Sequence, residues 1–443
     1  MIRGFYRRIQ IEGYDKVPRD KPVIFAANHQ NALIDALNVI YAANHKRQTT
    51  FLTRSDVFNH RFKGVMLGLF KMLPVYRQRD NLPNIVEKNA AIFDKCVDIL
   101  DRDDVILLFP EGNHDRTLRI RPLKKGIVRI GFQAAIKSEY QKDIYVIPIG
   151  LNYTNHIKFH RDLFINFGEA INLRDYYELH QQNESKGLTT ALKDIRTSIG
   201  NQVVNIRNKP YYPLIHGLQQ MFAPELAVAQ GAKSNDLSAQ LAASKEIVAK
   251  LEAKVETDPE QIDQLQEQML TYEEGLKKLK IRDHTISKGP HGLGKILGQE
   301  LLLLLGLPFF LFGLVNNYIP YKASWWPARK FFKDDHFYSS ITALAAYFIF
   351  PVFYLLLTII VWIATANFTW AMAYLGAALF TGRFAIRYSE WVKKWWATWR
   401  HNRLSAKNDK TLIQITQIRT DLIAWVKKVV GKEKEAGLVN ARD

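Results

Sequence analysis

The sequence predicts an α/β layered domain, with a central mixed sheet flanked by helices, followed by a helical insert and C-terminal membrane helices. Three observations carry this expectation. Over residues 1–175, short apolar runs alternate with stretches of helical periodicity, the pattern of sheet and helix layers. Residues 176–285 hold few β-branched residues and are rich in Ala, Gln, Glu, Leu and Lys, which favours helix. From 296 onward come apolar stretches of bilayer length. A chain of 443 residues accommodates one sizeable α/β domain and substantial additions.

In chain order, strands are expected at 6–11, 23–27, 49–53, 73–76, 105–109, 144–151 and 163–167, with helices at 33–44, 60–71, 83–101 and 126–138. The insert reads as an antiparallel hairpin of about 236–256 and 259–281. Ser234 or Asp236 caps a helix beginning near Leu237, and Asp258-Pro259-Glu260 stops and restarts it. A solvated spacer or coiled-coil arm without chemistry is the expected role. The boundaries that follow are 1–175 for the sheet domain, 176–290 for the insert, 291–385 for membrane-embedded helices and 386–443 for a basic aromatic amphipathic tail.

Residues 296–315 contain only Gln299 and Glu300 as polar positions, 341–365 is almost uncharged, and 368–382 resumes after Thr365-Ala366-Asn367. Basic flanks lie at Lys322, Arg329, Lys330 and Lys333, and again at Arg383, Arg387, Lys393, Lys394 and Arg400. If both stay cytoplasmic, the first segment dips in and returns with Gly306-Leu307-Pro308 at its tip, and the second block forms a hairpin turning near Asn367. Trp391, Trp395, Trp396 and Trp399, interleaved with basic residues, suit an interfacial helix.

The net charge is +18, from 61 Lys and Arg against 43 Asp and Glu. That sign permits nucleic acid, an anionic bilayer or a phosphorylated substrate. There is no zinc-finger spacing and no basic helix with base-reading residues, and a nucleic-acid partner leaves the apolar segments unexplained. The single cysteine, Cys96, excludes an intramolecular disulfide and a cysteine metal cluster. It lies in the helical pattern Ile92, Phe93, Cys96, Ile99, Leu100 and reads as core. Met1 to Arg8 is basic but lacks the apolar core of a secretory signal, which keeps the chemistry on the cytoplasmic side.

Two short elements carry that chemistry. Val23-Ile24-Phe25-Ala26-Ala27 reads as a buried strand, so His29 emerges where it ends. Asp35, six residues on, reaches back from a helix to hold one ring nitrogen, and the other nitrogen can take a proton from an alcohol. Phe109-Pro110-Glu111-Gly112 likewise follows an apolar run, Val105-Ile106-Leu107-Leu108, and ligand sites of open α/β sheets lie at such strand ends. Taken alone, His29 reads equally as a helix-start histidine. His114 and Asp115 invite a metal reading, but adjacent residues point apart and no second ligand pair has metal spacing, so no metal is expected.

Four elements stand in a fixed order: Asn28 to Asp35, then Leu73-Pro74-Val75-Tyr76-Arg77, then Phe109 to Gly112, then Val146-Ile147-Pro148-Ile149-Gly150. In this order they resemble the phospholipid/glycerol acyltransferase family, which includes the 1-acylglycerol-3-phosphate acyltransferases. Its blocks are His-x4-Asp, a stretch ending in Arg, Phe-Pro-Glu-Gly, and an apolar-Pro-apolar strand. The resemblance covers about residues 5–175. Five residues separate His29 from Asp35 where the common pattern has four, an expanded spacing similar to that of the glycerol-3-phosphate/dihydroxyacetone-phosphate acyltransferase branch.

The resemblance implies a membrane-bound O-acyltransferase that moves a fatty acyl group from acyl-CoA or acyl carrier protein to the sn-1 hydroxyl of glycerol 3-phosphate, or to dihydroxyacetone phosphate. The alternative acceptor is 1-acylglycerol 3-phosphate, acylated at sn-2. A reading of another class is a non-catalytic membrane scaffold, against which the presence of both His29 and Asp35 argues. No cofactor is implied, since the acyl donor is a substrate. The expected partners are an anionic lipid bilayer, the acyl donor and glycerol 3-phosphate.

His29 is then the base and Asp35 its orienting carboxylate, with Asn31 a supporting candidate. No Ser or Cys stands in a nucleophile-elbow setting, so attack is direct. The resemblance assigns glycerophosphate binding to Arg77, with Arg79 as second choice. Glu111 could accept a hydrogen bond from a substrate hydroxyl, or satisfy backbone amides instead, and Gly112 allows close backbone approach. Pro122-Leu123-Lys124-Lys125-Gly126 resembles the family's Pro-Phe-Lys-x-Gly segment, making Lys124 and Lys125 phosphate candidates at a helix start. Pro148 would shape a wall of the acyl pocket, or serve only as a strand-end proline.

Overall fold

In a computed structural model, the structure describes residues 2–43, 48–55, 71–76, 83–112, 117–155, 159–331 and 338–439. The chain divides into two units, Met1–Arg207 and Asn208–Asp443.

The first unit is built on strands β1 (Arg8–Glu12), β2 (Val23–Ala27), β3 (Thr49–Arg54), β4 (Met72–Val75), β5 (Val105–Leu108), β6 (Tyr145–Tyr153), β7 (Asp162–Phe167) and β8 (Ile171–Asn172). They form one mixed sheet in the order β1-β7-β6-β2-β5-β3-β4, with β8 beside β6. β2 lies inside it, parallel to both β5 and β6, while β6 and β7 run antiparallel. A central strand is covered on both faces, which is why β2 is apolar without interruption. All five of its residues are buried.

The described helices of this unit are α1 (Ile2–Phe5), α2 (Ala32–Ala42), α3 (Ile85–Asp101), α4 (Gly126–Lys137), α5 (Tyr177–Gln182) and α6 (Glu184–Asn201). Ile24 and Ala26 of β2 enter one core with Cys96 and Leu100 of α3, Ile127 and Ile130 of α4, and Ala191 and Ile195 of α6. Phe25 meets Phe167 on the other face, ring centroids 5.9 Å apart. The seven expected strands are all present; the helix expected over 60–71 falls, but for Lys71, outside the described residues.

The expected boundary at 175 is corrected. α6 lies beyond it, yet its apolar stripe Leu188, Ala191, Ile195 and Ile199 completes the sheet domain's core, so the unit extends to Arg207.

The second unit is helical: α7 (Tyr212–Ala229), α8 (Leu237–Thr257), α9 (Pro259–Leu279), α10 (Asp283–Lys288), α11 (Leu293–Phe331), α12 (Tyr338–Thr365), α13 (Phe368–Ala406) and α14 (Lys410–Val439). Asp236 caps α8 by accepting from the amides of Ser238 and Ala239, and Pro259 opens α9, so the two helices begin where the sequence predicts. It is not a solvated arm. Met269 of α9 fills the space over Gly217 of α7, and Ile415 of α14 covers Gly275 of α9. The 386–443 tail is corrected with it: α13 runs unbroken through 385, and Leu412, Ile415, Leu422 and Val426 of α14 are buried in the helical bundle.

Two helices, Gly294–Lys330 and Ser340–Thr365, are long and apolar enough to cross a membrane, their apolar 18-residue stretches having mean hydropathies of 1.9 and 2.5. The dip and return expected at Gly306-Leu307-Pro308 is absent, because α11 is helical through all three residues. The turn expected near Asn367 is present, and its side chain caps α13.

Candidate active site

β2 ends at Ala27 between two parallel neighbours, so the loop Asn28–Asn31 leaves from the edge of the sheet where such folds bind ligands. Asn28 fastens this loop to β6. Its amide donates to the Leu151 carbonyl at 3.1 Å, and its carbonyl accepts from the Leu151 amide at 2.7 Å. The chain then enters α2 through Ala32 at φ +40°, the left-handed region that costs a non-glycine residue roughly 1–2 kcal/mol. That turn brings Asp35, in the first turn of α2, back beneath the loop.

Asp35 is fully buried and anchored from four directions. Its Oδ2 accepts from the amides of Gln30 at 2.9 Å and Asn31 at 2.7 Å, and lies 2.8 Å from His29 Nδ1. Its Oδ1 accepts from the Tyr153 hydroxyl. Asn38, one turn further along α2, donates to the Tyr153 hydroxyl at 2.9 Å and to that of Tyr6 at 2.8 Å. Burial, followed by the Asp35 charge, holds the Tyr153 phenol well above its ordinary pKa. Burial also raises that of Tyr6. Both phenols therefore stay protonated, and Tyr153 faces the carboxylate as a donor.

An imidazole nitrogen beside a carboxylate carries the proton, so the hydrogen-bond network assigns Nδ1–H to His29 and leaves Nε2 as the basic nitrogen. The ring stacks on Phe109 at 4.1 Å and 17°. Its side chain is 15% exposed against 0% for Asp35. The carboxylate is sealed from solvent; the imidazole is not.

Glu111 is placed differently from a substrate contact. It is buried, its Oε1 accepts from the His29 backbone amide at 3.1 Å, and its Oε2 takes both the Arg121 amide at 3.2 Å and Nε at 3.0 Å. The carboxylate joins the loop after β5 to the loop after β2 and fixes the His29 backbone. Of the two sequence readings, satisfaction of backbone amides is the one the geometry matches.

Gly112 adopts φ +71°, and a Cβ there would sit 3.4 Å from Lys124 Cγ. The lysine stem lies across the glycine, and the Lys124 amide donates to the Pro110 carbonyl at 2.7 Å. Lys124 and Lys125 are exposed at the start of α4, with no ion-pair partner among the described residues. Arg77, Arg79, His114 and Asp115 lie outside the described residues. Tyr76, next to Arg77, is held at both its amide and its carbonyl by the Asn89 side chain. Pro148 is buried within β6 rather than at a strand end. Cys96 is sealed in the core, with burial pushing its thiol up to about 12. Among the described residues no group of three or more His, Cys, Asp or Glu could hold a metal.

Sequence reasoning missed Tyr6, Asn38 and Tyr153. Tyr153 is 118 residues from Asp35, and no local pattern announces the pairing.

The class this geometry defines is an α/β domain that presents a carboxylate-held imidazole at the end of a central strand. Residues 8–152 match the sequence model of the Acyltransferase family. That span holds His29, Asp35, Glu111 and both lysines, and stops one residue short of Tyr153. The chain is similar to a chloroplastic 1-acyl-sn-glycerol-3-phosphate acyltransferase of Arabidopsis thaliana, 24% identical over 35% of this chain and 39% of that one. It is also similar to one of Brassica napus, 22% identical over 35% of this chain and 40% of that one. The chain thus spans about two fifths of the length of these curated relatives. A crystal structure of the 1-acyl-sn-glycerophosphate (LPA) acyltransferase from Thermotoga maritima is similar at 15% identity, over 44% of this chain and 71% of that one, with a TM-score of 0.31.

Proposed function

We propose that this protein is a membrane-associated O-acyltransferase whose acceptor is a hydroxyl on a phosphate-bearing glycerol. The observation that carries the reading is the 2.8 Å approach of His29 Nδ1 to a fully buried, fourfold-held Asp35. His29 Nε2 takes the hydroxyl proton as the oxygen attacks the thioester carbonyl of acyl-CoA or acyl carrier protein. The tetrahedral intermediate expels the thiolate, which recovers that proton from the imidazolium that Asp35 stabilises. No acyl-enzyme is needed. Lys124 and Lys125, with Arg77 and Arg79 from the preceding block, supply the cations for the phosphate.

The acceptor we favour is glycerol 3-phosphate, acylated at sn-1, on the strength of the expanded His29–Asp35 spacing. The names of the plant relatives favour 1-acylglycerol 3-phosphate instead. The test offers purified protein a labelled acyl donor with glycerol 3-phosphate, dihydroxyacetone phosphate and 1-acylglycerol 3-phosphate in competition. Preferential labelling of glycerol 3-phosphate is expected. Preference for the acylated acceptor selects the alternative, and labelling of none, with the fold intact, overturns acyl transfer. The apolar helices α11 and α12 support a membrane location, with the sheet domain on the cytoplasmic side.

A further inference from the structure

By length and composition alone, α11 and α12 qualify as membrane spans. The way α11, α12 and α13 pack points elsewhere. Near the start of α11, the His291 amide donates to the Asn402 side chain at 3.1 Å, and Asn402 donates back to the His291 carbonyl at 2.7 Å. Further along, the Tyr388 hydroxyl donates to the Leu303 carbonyl at 2.6 Å, and Gly306 lies against Tyr388 and Phe384. Gly313 abuts the Thr381 backbone so closely that no Cβ would fit, and Tyr374 donates to the Asn316 side chain. As residue numbers rise along α11 they fall along α13. The two helices are antiparallel over about 35 Å, at 1.5 Å per residue from the start of α11 at Leu293 to Asn316.

Two consequences follow. A bundle of three successive spans would set the first and third parallel, whereas α11 and α13 are antiparallel. The Tyr354 hydroxyl, near the middle of α12, reaches Asn317. The register also sets charge beside the apolar run. Arg383 and Arg387 fall between the contacts Leu303–Tyr388 and Gly313–Thr381, opposite the centre of 296–315, and Lys393 and Lys394 follow before Asn402. All four cations are exposed, and none has an ion-pair partner among the described residues. Across a bilayer they would stand in hydrocarbon, where cations are costly. Lying along its surface, the pair keeps them at the headgroups while Leu297, Leu301, Leu304 and Leu305, each more than half exposed, enter the acyl chains. Arg400 over Trp396 and Arg403 over Trp399 continue the basic aromatic belt.

We infer that α11–α13 form a monotopic module, embedded in one leaflet without crossing the bilayer, its cationic stripe matched to anionic headgroups. This rests on the membrane location proposed above and is independent of the acyl-transfer reading. The test uses the full chain in sealed membrane vesicles of both orientations, with single cysteines from Gly292→Cys, Asn367→Cys and Lys407→Cys and a membrane-impermeant maleimide. Buried Cys96 serves as the silent background thiol. Gly292→Cys and Lys407→Cys should label from one shared side, and Asn367→Cys from that side or only after detergent. Labelling of Asn367→Cys from the opposite side, or of the two outer positions from different sides, overturns the monotopic module. Recovery of the protein in the soluble fraction removes the membrane reading beneath it, while flotation with the membranes keeps that reading whichever way the labelling falls.

Discussion

The two units of this chain put the same kind of side chain to opposite uses. In the sheet domain, Val23, Ile24 and Phe25 are 0–1% exposed, and the polar groups beside them are closed into a hydrogen-bonded set around Asp35. In the helical unit, Leu304 is 68% exposed, Val315 72% and Ile363 75%. The sheet domain hides its apolar surface from water; α11–α13 of the helical unit present theirs. The hydrophobic effect accounts for both once the second unit is given an apolar solvent on one side. A buried strand and a lipid-facing helix are equally apolar in sequence, so composition alone distinguishes them poorly.

The sharpest way to break this comparison is one charge in each unit. Ile24→Asp should unfold the sheet domain, costing more than about 4 kcal/mol for an unpaired buried carboxylate, read as loss of its thermal transition. Leu304→Asp should leave that transition in place and weaken membrane retention in a flotation assay. Next in size, His29→Ala should lower kcat by about 10³-fold with only a small fall in Tm, because the ring is partly exposed but supplies one of the four donors to the buried Asp35. Glu111→Gln should reduce kcat by about tenfold to a hundredfold through the lost grip on His29 and Arg121, leaving the acceptor KM nearly constant. A rise in acceptor KM alone would restore Glu111 to the substrate-binding set. Tyr153→Phe removes one donor from the buried carboxylate and should cost about 1 kcal/mol by denaturant midpoint, with a loss in kcat of about tenfold. Smallest of all, Ala32→Gly should stabilise the fold by about 1 kcal/mol, read from the denaturant midpoint, by relieving the left-handed turn.

Much of the sheet domain was legible because its strands are short apolar runs between turns, and β2 matches its expected bounds because none of its five residues is polar. His29 and Glu111 were legible as residues that follow strand ends, and Asp35 as a helix residue six positions after His29. What holds them was not. Tyr153 meets Asp35 only because β6 is parallel to β2 and four residues longer at that end, and such long-range register leaves no local trace. The domain boundary was misplaced because α6 resembles the polar helices after it, and its apolar stripe finds the sheet only in three dimensions. For α11 and α13, composition announced apolar length, but the antiparallel register depends on Gly306, Gly313, Ala378 and Ala385, small residues whose pairing becomes visible once the helices touch.

The central claim concerns one proton on one nitrogen. With ¹⁵N-labelled histidine, the His29 resonances can be isolated as those lost in His29→Ala and read at a pH where the ring is neutral. The account predicts the proton on Nδ1, with Nε2 bare, and loss of that preference in Asp35→Ala. A neutral ring carrying its proton on Nε2 would contradict it, because the nitrogen required to receive the hydroxyl proton would already be occupied.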